Sequence, residues 1–498
     1  INSGVITSNG IIYNESIIRD IANSTFTNTG GVVNTGSFEE NGAFNNQGNF
    51  ENDSLLTINA GTFTTSSTGY LKAVHHSLFN IYGQYTNAGT TLALDSSVIQ
   101  VMGSFVNQGI LNIQWKCAFL NMNSGVFLNT IVGQHPATVD NRGVFLNWGS
   151  ITNSANFFSQ AYFFNYMPGT INNTGDFRNS ATFQNGYQFT NNGNFTTEPS
   201  SVIQNTGIFV NSVPLAISGL FTNESGGLFR NTEANLTINL NGILDNKGSI
   251  QNGLGPQSNP VARPGKPASM ITNNGTFTNT GTLNNNGIWL NENYFTNNTQ
   301  GIVLNNISFV NDSSVTNMGT FTNYGVMTLN NKRFTNSLLL RNNGQIINQL
   351  SSQLINVGPG SIFNNGTLTN GGAMTSLTDA TVINFFSASI TGYSGLVNNY
   401  SFIDQPIGGS APVNSVVNFS TTTSGVPISY QWQVSTDNGA TWNNITDGGN
   451  YSRSSTASLQ ITNVPASFNN NQYKVIANGP EDGNTGTSVA ITLTVTGG

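Results

Sequence analysis

Apolar residues return at every sixth position in several blocks of the first four hundred residues of this chain. The clearest blocks are Phe26, Val32, Phe38, Phe44 and Phe50; Ile171, Phe177, Phe183, Phe189 and Phe195; Ile271, Phe277, Leu283, Trp289 and Phe295; and Val303, Phe309, Val315, Phe321 and Met327. A period of six is a multiple of two and not of 3.6, so these residues share one side of an extended chain. The pattern therefore predicts short β-strands and excludes helix in these blocks.

An Asn stands two positions after most of these apolar residues, and a Gly often stands two positions after the Asn. The repeat is thus apolar-x-Asn-x-Gly-x, as in Ile271, Asn273 and Gly275. Gly supplies a positive φ without a Cβ penalty, and Asn tolerates it better than most residues. Each repeat is therefore interpreted as a very short strand followed by a bend.

Strands this short can bury an apolar face if the chain winds into a coil. Each strand then pairs in parallel with the equivalent strand of the next coil. Three repeats give a coil of roughly 18 to 20 residues, which predicts an all-β fold, a parallel β-solenoid (β-helix). Phe26, Phe44 and Phe63 are expected in one buried column, and Asn side chains at a fixed corner are expected to form hydrogen-bonded ladders.

The repeat is interrupted between Gly253 and Ala268 by a segment rich in proline. Proline cannot donate a backbone hydrogen bond to a sheet. The segment 253–268 is therefore predicted to be a loop on one face of the solenoid, and a contact with a neighbouring subunit is the alternative.

The pattern changes again at about Pro406. Alternating segments follow at short intervals, with turn residues between them, which predicts an antiparallel β-sandwich of about 90 residues. These segments are 416–419, 428–434, 459–461, 473–475 and 489–493. We therefore predict a solenoid domain over residues 1–404 and a small sandwich domain over residues 405–498.

The segment Tyr430-Gln431-Trp432-Gln433-Val434-Ser435 and the later Leu459-Gln460-Ile461-Thr462-Asn463-Val464 resemble the immunoglobulin-like modules of large bacterial surface proteins. The resemblance implies that Trp432 is the buried Trp of strand C and that Tyr473 is the corner Tyr. Val475 stands where that family places its second Cys, and lack of the disulfide is normal for the bacterial branch. The solenoid repeat is similar to repeats of filamentous bacterial adhesins, so the resemblance implies adhesion or fibre formation at the cell surface.

Composition and the pattern of apolar residues exclude nucleic acid as a partner and a membrane-spanning helix. Only 7% of the residues are charged, and the net charge of -7 comes from scattered single acids, which leaves no basic face for nucleic acid. The chain contains no run of about 18 apolar residues that could span a membrane as a helix. The single cysteine, Cys117, is expected to be buried and inert. Because the chain opens at Ile1 with no leader, we interpret it as a secreted, extracellular mature form or fragment without its signal peptide.

Groups that could carry chemistry are few. Glu39, Glu40, Glu51 and Asp53 are expected to be solvated acids on different corners. His75 and His76, adjacent on a predicted strand, would point to opposite faces and fit one metal ion poorly; His135 is the other imidazole. No phosphate loop, nucleophile elbow or zinc spacing occurs. We therefore predict no catalytic, cofactor-binding or metal-binding residues, and a protein that is not an enzyme.

Three functions remain open. The first is a structural subunit that polymerises head to tail with copies of itself through its solenoid ends. The second is the stalk of a monomeric adhesin that binds glycans or proteins of a host or a neighbouring cell. The third is a polysaccharide-active β-helix enzyme that uses Trp115, Trp148 and Tyr162 as sugar platforms.

Overall fold

A computed structural model describes residues 1–133, 135–253, 269–377, 379–385, 388–393, 398–399, 401–424, 429–479 and 485–497. The proline-rich segment predicted to be a loop lies outside the described residues, apart from Gly253. The chain divides into two compact units, Ile1–Ser314 and Val315–Gly498.

The first unit is a β-solenoid in which the chain visits three parallel sheets in turn. The first sheet contains Val5–Ser8, Thr25–Asn28, Ala43–Asn46, Thr62–Thr65, Gln84–Asn87, Ser104–Asn107, Val126–Asn129, Ser150–Asn153, Thr170–Asn173, Gln188–Asn191, Ile208–Asn211, Leu228–Asn231, Ser249–Asn252, Thr282–Asn285 and Ile302–Asn305. The second sheet contains Ile11–Asn14, Gly31–Asn34, Asn49–Asn52, Tyr70–Ala73, Thr90–Ala93, Ile110–Ile113, Thr138–Asn141, Asn156–Ser159, Asp176–Asn179, Asn194–Thr197, Leu215–Ile217, Asn235–Ile238, Met270–Asn273, Ile288–Asn291 and Ser308–Asn311. The third sheet contains Ile17–Arg19, Ser37–Glu40, Leu55–Ile58, Leu78–Ile81, Val98–Val101, Ala118–Asn121, Val144–Asn147, Tyr162–Asn165, Thr182–Asn185, Val202–Asn205, Leu220–Asn223, Ile243–Asn246, Thr276–Asn279 and Tyr294–Asn297. A small antiparallel pair, Ile131–Val132 with His135–Pro136, is inserted within one coil, between the strands Val126–Asn129 and Thr138–Asn141.

The second unit begins with coils of the same kind, and Ser314–Asn317 is the strand at which the two units divide. One sheet contains Thr320–Asn323, Leu339–Asn342, Ser361–Asn364, Thr381–Asn384 and Asn398–Asn399. Another contains Val326–Leu329, Gln345–Asn348, Thr367–Asn370 and Ser389–Thr391, and the last contains Lys332–Asn336, Ser352–Asn356 and Ala373–Ser376. The all-β parallel solenoid predicted from the repeat is thus confirmed.

The register of the coils follows the six-residue repeat. Phe26 pairs with Phe44, and Phe44 pairs with Phe63, as predicted for one column. The rings of Phe26 and Phe44 lie 4.8 Å apart between centroids and are nearly parallel. In a typical strand such as Thr182–Asn185 the second and fourth residues are buried. The apolar residue and the Asn of each repeat therefore point into the core, because alternate residues of a strand face the same side.

The repeat glycines have a different cause from the one predicted. In both Gly30 and Gly281, φ lies outside the left-handed region, so positive φ is not the reason for glycine at these corners. A Cβ on Gly30 would lie 2.3 Å from the carbonyl oxygen of Gly10 in the preceding coil, and one on Gly281 would lie 2.0 Å from that of Gly248. At these two corners the preceding coil lies too close for a side chain, and this accounts for the glycine.

The second unit ends in two small sheets. One contains Gly409–Pro412, Ile491–Thr496, Gln472–Asn478, Ser429–Ser435, Asn443–Asn444 and Thr485–Thr487, and the other contains Val417–Ser420, Ser458–Ile461 and Tyr451–Ser452. The strands Ser401–Asp404 and Thr422–Ser424 form an antiparallel pair, and Ala466–Phe468 is a 3₁₀ turn. The division predicted between residues 404 and 405 stays a prediction.

The two small sheets enclose a core and also touch the neighbouring coils. Trp432 is fully buried between the sheets, and its indole Nε1 donates to the carbonyl of Thr456 at 2.9 Å. Ala477 packs with Phe363 and Phe385, which belong to the last coils of the same unit. Among the described residues, no helix has the length and apolar character needed to cross a membrane.

Candidate functional site

The most regular polar feature of the molecule is a set of buried Asn ladders. In the third sheet, Asn165 Nδ2 donates to Asn185 Oδ1 at 2.8 Å, and Asn185 Nδ2 donates to Asn205 Oδ1 at 2.7 Å. The same Asn185 amide also donates to the backbone carbonyl of Ile208 at 3.0 Å. The predicted Asn ladders are therefore present, and they satisfy polar groups inside an otherwise apolar core.

Each ladder has a direction. The amide of one coil donates to the amide oxygen of the following coil, so the first Asn of a run has no Asn before it to donate to its oxygen. Among the described residues, the side-chain oxygens without a hydrogen-bond partner include those at the starts of runs: Asn28, Asn87, Asn121 and Asn273. The amino-terminal side of a ladder thus presents acceptors, and a partner placed there must supply donors.

The first coil has unpaired strand edges among the described residues. Its strands Val5–Ser8, Ile11–Asn14 and Ile17–Arg19 each pair on one side with the second coil. Among the described residues, no further strand pairs with the other side of these three strands. Val5 is 79% exposed and Ile11 is 63% exposed. Within the described residues these sheet edges and apolar side chains have no cover, and such edges are prone to pair with a further strand.

The repeat glycines of the first coil have no close neighbours. Among the described residues, no atom lies within 4 Å of the Cβ position of Gly4 or Gly10. In the second coil, Gly30 is equivalent to Gly10, and its Cβ position lies 2.3 Å from the Gly10 carbonyl oxygen, whereas Ser24 is equivalent to Gly4. Gly10 therefore has the same corner position as Gly30 but no described coil packed against it.

The acidic residues were expected to be solvated, and this is wrong for Glu40. Glu40 and Asp20 are both fully buried and occupy successive positions of the third-sheet column that holds Asn from Asn121 onwards. Burial, followed by the Asp20 carboxylate, raises the pKa of Glu40 to about 8. Glu39 does lie on the outside, where it accepts from Arg19 Nε at 2.6 Å. The sequence carried a signal that was missed, because Glu40 occupies the Asn position of its repeat.

The histidines are arranged differently from the prediction. His75 and His76 lie in a turn and not on a strand, with φ values of 50° and 66°. His75 Nδ1 lies 2.8 Å from the Asp53 carboxylate on the surface. No group of three or more His, Cys, Asp or Glu residues in the described ranges could hold a metal ion. The side chain of His135 lies outside the described residues.

Trp148 and Tyr162, two of the three aromatic residues considered as sugar platforms, are linked by a row of stacked rings through Tyr166 and Phe164. Trp115 follows a strand of the second sheet and is 69% exposed. Trp148 follows a strand of the third sheet, and its ring stacks on that of Tyr166 at 5.1 Å. Tyr162 begins the next strand of the third sheet, and its ring is nearly parallel to that of Phe164 at 6.0 Å. Cys117 is buried, as predicted.

Comparisons with known proteins leave the family open. No protein-family model and no curated protein sequence matches the chain. Among solved structures, the twitchin kinase region from C. elegans aligns with 19% of this chain at 21% identity, over 16% of its own length, with a TM-score of 0.16. A chimeric titin Z1Z2 aligns with 20% of this chain at 20% identity, over 93% of its own length, with a TM-score of 0.16. The Ig1-2 module of the Drosophila receptor tyrosine phosphatase DLAR aligns with 24% at 18% identity, over 54% of its own length, with a TM-score of 0.18. Structural similarity at this level supports no conclusion about the family or function of this chain.

Proposed function

We propose that this chain is a non-catalytic structural protein, the subunit of an extracellular cell-surface filament that assembles head to tail through its solenoid ends. The observation that carries the proposal is the direction of the Asn ladders: each amide donates to the Asn of the next coil, so the two sides of a stack of coils are unlike and complementary. Gly30 follows Gly10 in the same corner column, and its Cβ position lies 2.3 Å from the carbonyl oxygen of Gly10 in the preceding coil. A coil of a second copy that stacks on the first coil would give Gly10 the same close neighbour.

The chemistry of the first coil favours a solenoid end as its occupant. The three strand edges need parallel strands, and the Asn14 amide donates to Asn34 of the second coil, which gives the ladder polarity that the partner must match. The carboxy-terminal side of an Asn ladder provides amide donors of that kind. A contact between unlike ends of identical chains does not close on itself, so it generates a filament. The small share of charged residues, 7%, limits repulsion between stacked copies.

We also propose that the two small sheets form an immunoglobulin-like module of the type found in bacterial surface proteins. Support comes from the buried Trp432 at the centre of the core and from Tyr473, which is fully buried beside it. The module would serve as a surface-exposed part of the filament. It could be tested by solving the structure of the full chain and comparing strand order with that family.

Replacing Gly10 with Val is expected to block filament growth while leaving the single chain folded. In the single chain the new side chain has open space, because no atom lies within 4 Å of the Cβ position. In the filament it would meet the carbonyl of the stacked coil, as a side chain at Gly30 would meet Gly10. The measurement is electron microscopy across a concentration series, with circular dichroism and thermal unfolding of the same sample. The unfolding midpoint should stay within about 2 °C of the parent, as expected for a surface substitution.

A matched control places a valine on the outer face of a middle coil, with Gln188→Val. This variant should form fibres as the parent does. Fibres from Gly10→Val would refute stacking at this corner. Monodisperse single particles from the parent chain at every concentration would remove the filament and favour the adhesin stalk, whose test is glycan or protein binding. Cleavage of a polysaccharide by the parent would instead identify an enzyme.

A further inference from the structure

The third-sheet column begins with an exception to the Asn ladder. Its first positions are Asn2, Asp20, Glu40 and Ile58, where Asn2 and Asp20 are joined by a parallel bridge. The strands Ile17–Arg19 and Ser37–Glu40 pair in parallel with Arg19 opposite Glu39, which places Asp20 opposite Glu40. Two carboxyl groups therefore take the place of two amides where the first coil meets the second.

Both carboxyl groups are only partly satisfied by the protein. Asp20 accepts a hydrogen bond from the Ser24 hydroxyl, and Glu40 Oε1 accepts from the Gly42 backbone N–H at 2.6 Å. Among the described residues, Asp20 Oδ2 and Glu40 Oε2 are buried without a hydrogen-bond partner. Each residue is fully buried, and a buried carboxylate oxygen without a donor is costly.

The neighbouring column shows what the spacing between these two coils allows. There Asn14 Nδ2 donates to Asn34 Oδ1 at 2.5 Å, across the same pair of coils. Side chains at facing positions can therefore reach hydrogen-bonding distance. Two ionised carboxylates at this spacing would repel each other in a low-dielectric interior, whereas a carboxylic acid can donate to a carboxylate.

We propose that Asp20 and Glu40 share one proton in place of a ladder amide, and that the first coil becomes easier to release as the pH rises from mildly acidic to mildly alkaline. The contact between the first and second coils would then depend on pH. This dependence is a property of the single chain and does not require the filament. If the filament forms as proposed above, its growing end would loosen in the same pH range.

Other charged groups on the surrounding strands do not offset the repulsion between the Asp20 and Glu40 carboxyl groups. The core-facing positions of the surrounding strands hold only apolar side chains, Ser or Asn, apart from Asp20 and Glu40. Arg19 and Glu39 lie on the outer face and pair with each other at 2.6 Å. Glu15 is exposed. The raised pKa of Glu40, about 8, agrees with a proton retained at neutral pH.

The direction of the pH effect follows from linkage. A released first coil would expose Glu40 to water, where its carboxyl titrates near its ordinary pKa of about 4.3. The closed coil holds the proton up to about pH 8. Release therefore becomes easier by up to about tenfold per pH unit between these two values and changes little above the higher one.

The test is hydrogen–deuterium exchange of the full chain from pH 5.5 to 8.5, read by mass spectrometry. Exchange in residues 2–20 is divided by the intrinsic rate at each pH and compared with residues 182–211 of the same molecules. In the parent chain, protection of residues 2–20 should fall as the pH rises, while protection of the middle coils stays constant. In Glu40→Gln, protection of residues 2–20 should not depend on pH, because the amide donates to Asp20 at every pH.

The control Glu39→Gln removes the outer ion pair and leaves the buried pair intact, so it should keep the pH dependence of the parent. Parent protection that does not change with pH would overturn the proposal. A pH dependence that persists in Glu40→Gln would also overturn it.

Exchange is also measured with calcium chloride and with EDTA. If calcium restores full protection at pH 8.5 in the parent, the pair is a cation site and the shared proton is refuted. The protein concentration is kept below the level at which fibres form, so that assembly does not affect the measured exchange.

Discussion

Replacing Asn185 with Asp is expected to lower the free energy of unfolding by about 3 to 5 kcal/mol at pH 7. The carboxylate cannot donate, so Asn205 Oδ1 and the carbonyl of Ile208 both lose their donor. Three oxygen acceptors would then face one another inside the core, where Asn185 is fully buried. The loss should shrink as the pH falls, because the protonated acid can donate one hydrogen bond and carries no charge. Urea unfolding at pH 7 and pH 4 measures both effects.

The matched control is Gln188→Glu, the same amide-to-carboxylate change three residues away on the exposed outer face. We expect a change of no more than about 0.5 kcal/mol there. Hydrogen exchange of the two strands Thr182–Asn185 and Val202–Asn205 then locates the damage. Equal stability of Asn185→Asp and Gln188→Glu would show that the ladder contributes nothing beyond filling space.

The solenoid could be predicted because one rule repeats along it. The period of six determines which residues face the core, and the column of Phe26, Phe44 and Phe63 follows from a coil of three repeats. The Asn ladder could be predicted for the same reason, since identical side chains stack at a fixed corner. Repetition of this kind leaves few alternatives for register, because a shift by one residue would turn the apolar set outwards.

Features that depend on a single coil could not be predicted from the repeat. The role of the corner glycines was assigned to backbone conformation, whereas the distance between the carbonyl of Gly10 and the Cβ position of Gly30 shows that it is close approach. Glu40 looked like a surface acid because it lies among other acids, although its position in the repeat points inward. In both cases the deciding contact comes from a neighbouring coil about twenty residues away.

The contact between the coils and the small sheets is another such feature. Phe363 and Ile383 occupy outward positions of their strands, where most coils have polar or small residues. They are buried because Ala477 and its neighbours pack on them. Arg341 lies over the Phe363 ring at 5.4 Å. Two apolar residues at outward positions of successive strands indicate a covered face, but the sequence does not say which segment covers it.

Replacing Trp289 with Ala is expected to destabilise the coils around it by about 3 to 5 kcal/mol, whereas replacing it with Phe is expected to cost at most about 1 kcal/mol. Trp289 is fully buried, and its ring lies 4.7 Å from that of Phe277 and 5.4 Å from that of Phe295. Removal of the whole side chain leaves a cavity between these rings. The smaller Phe keeps most of the aromatic contact and removes the indole Nε1, which is buried without a hydrogen-bond partner. Removing that unsatisfied donor offsets part of the free energy that the smaller cavity costs.

Urea unfolding, together with hydrogen exchange of residues 270–311, measures both variants. Exchange is needed because coils of a solenoid interact mainly with their neighbours, so a local loss need not appear as a shift of one global transition. Trp115→Ala is the control, since that Trp is 69% exposed and its removal should change stability by no more than about 0.5 kcal/mol. If Trp289→Phe were as damaging as Trp289→Ala, the indole Nε1 would have a hydrogen-bond partner that stabilises the core. Comparing the two variants thus separates the packing contribution of this ring from the cost of its buried donor.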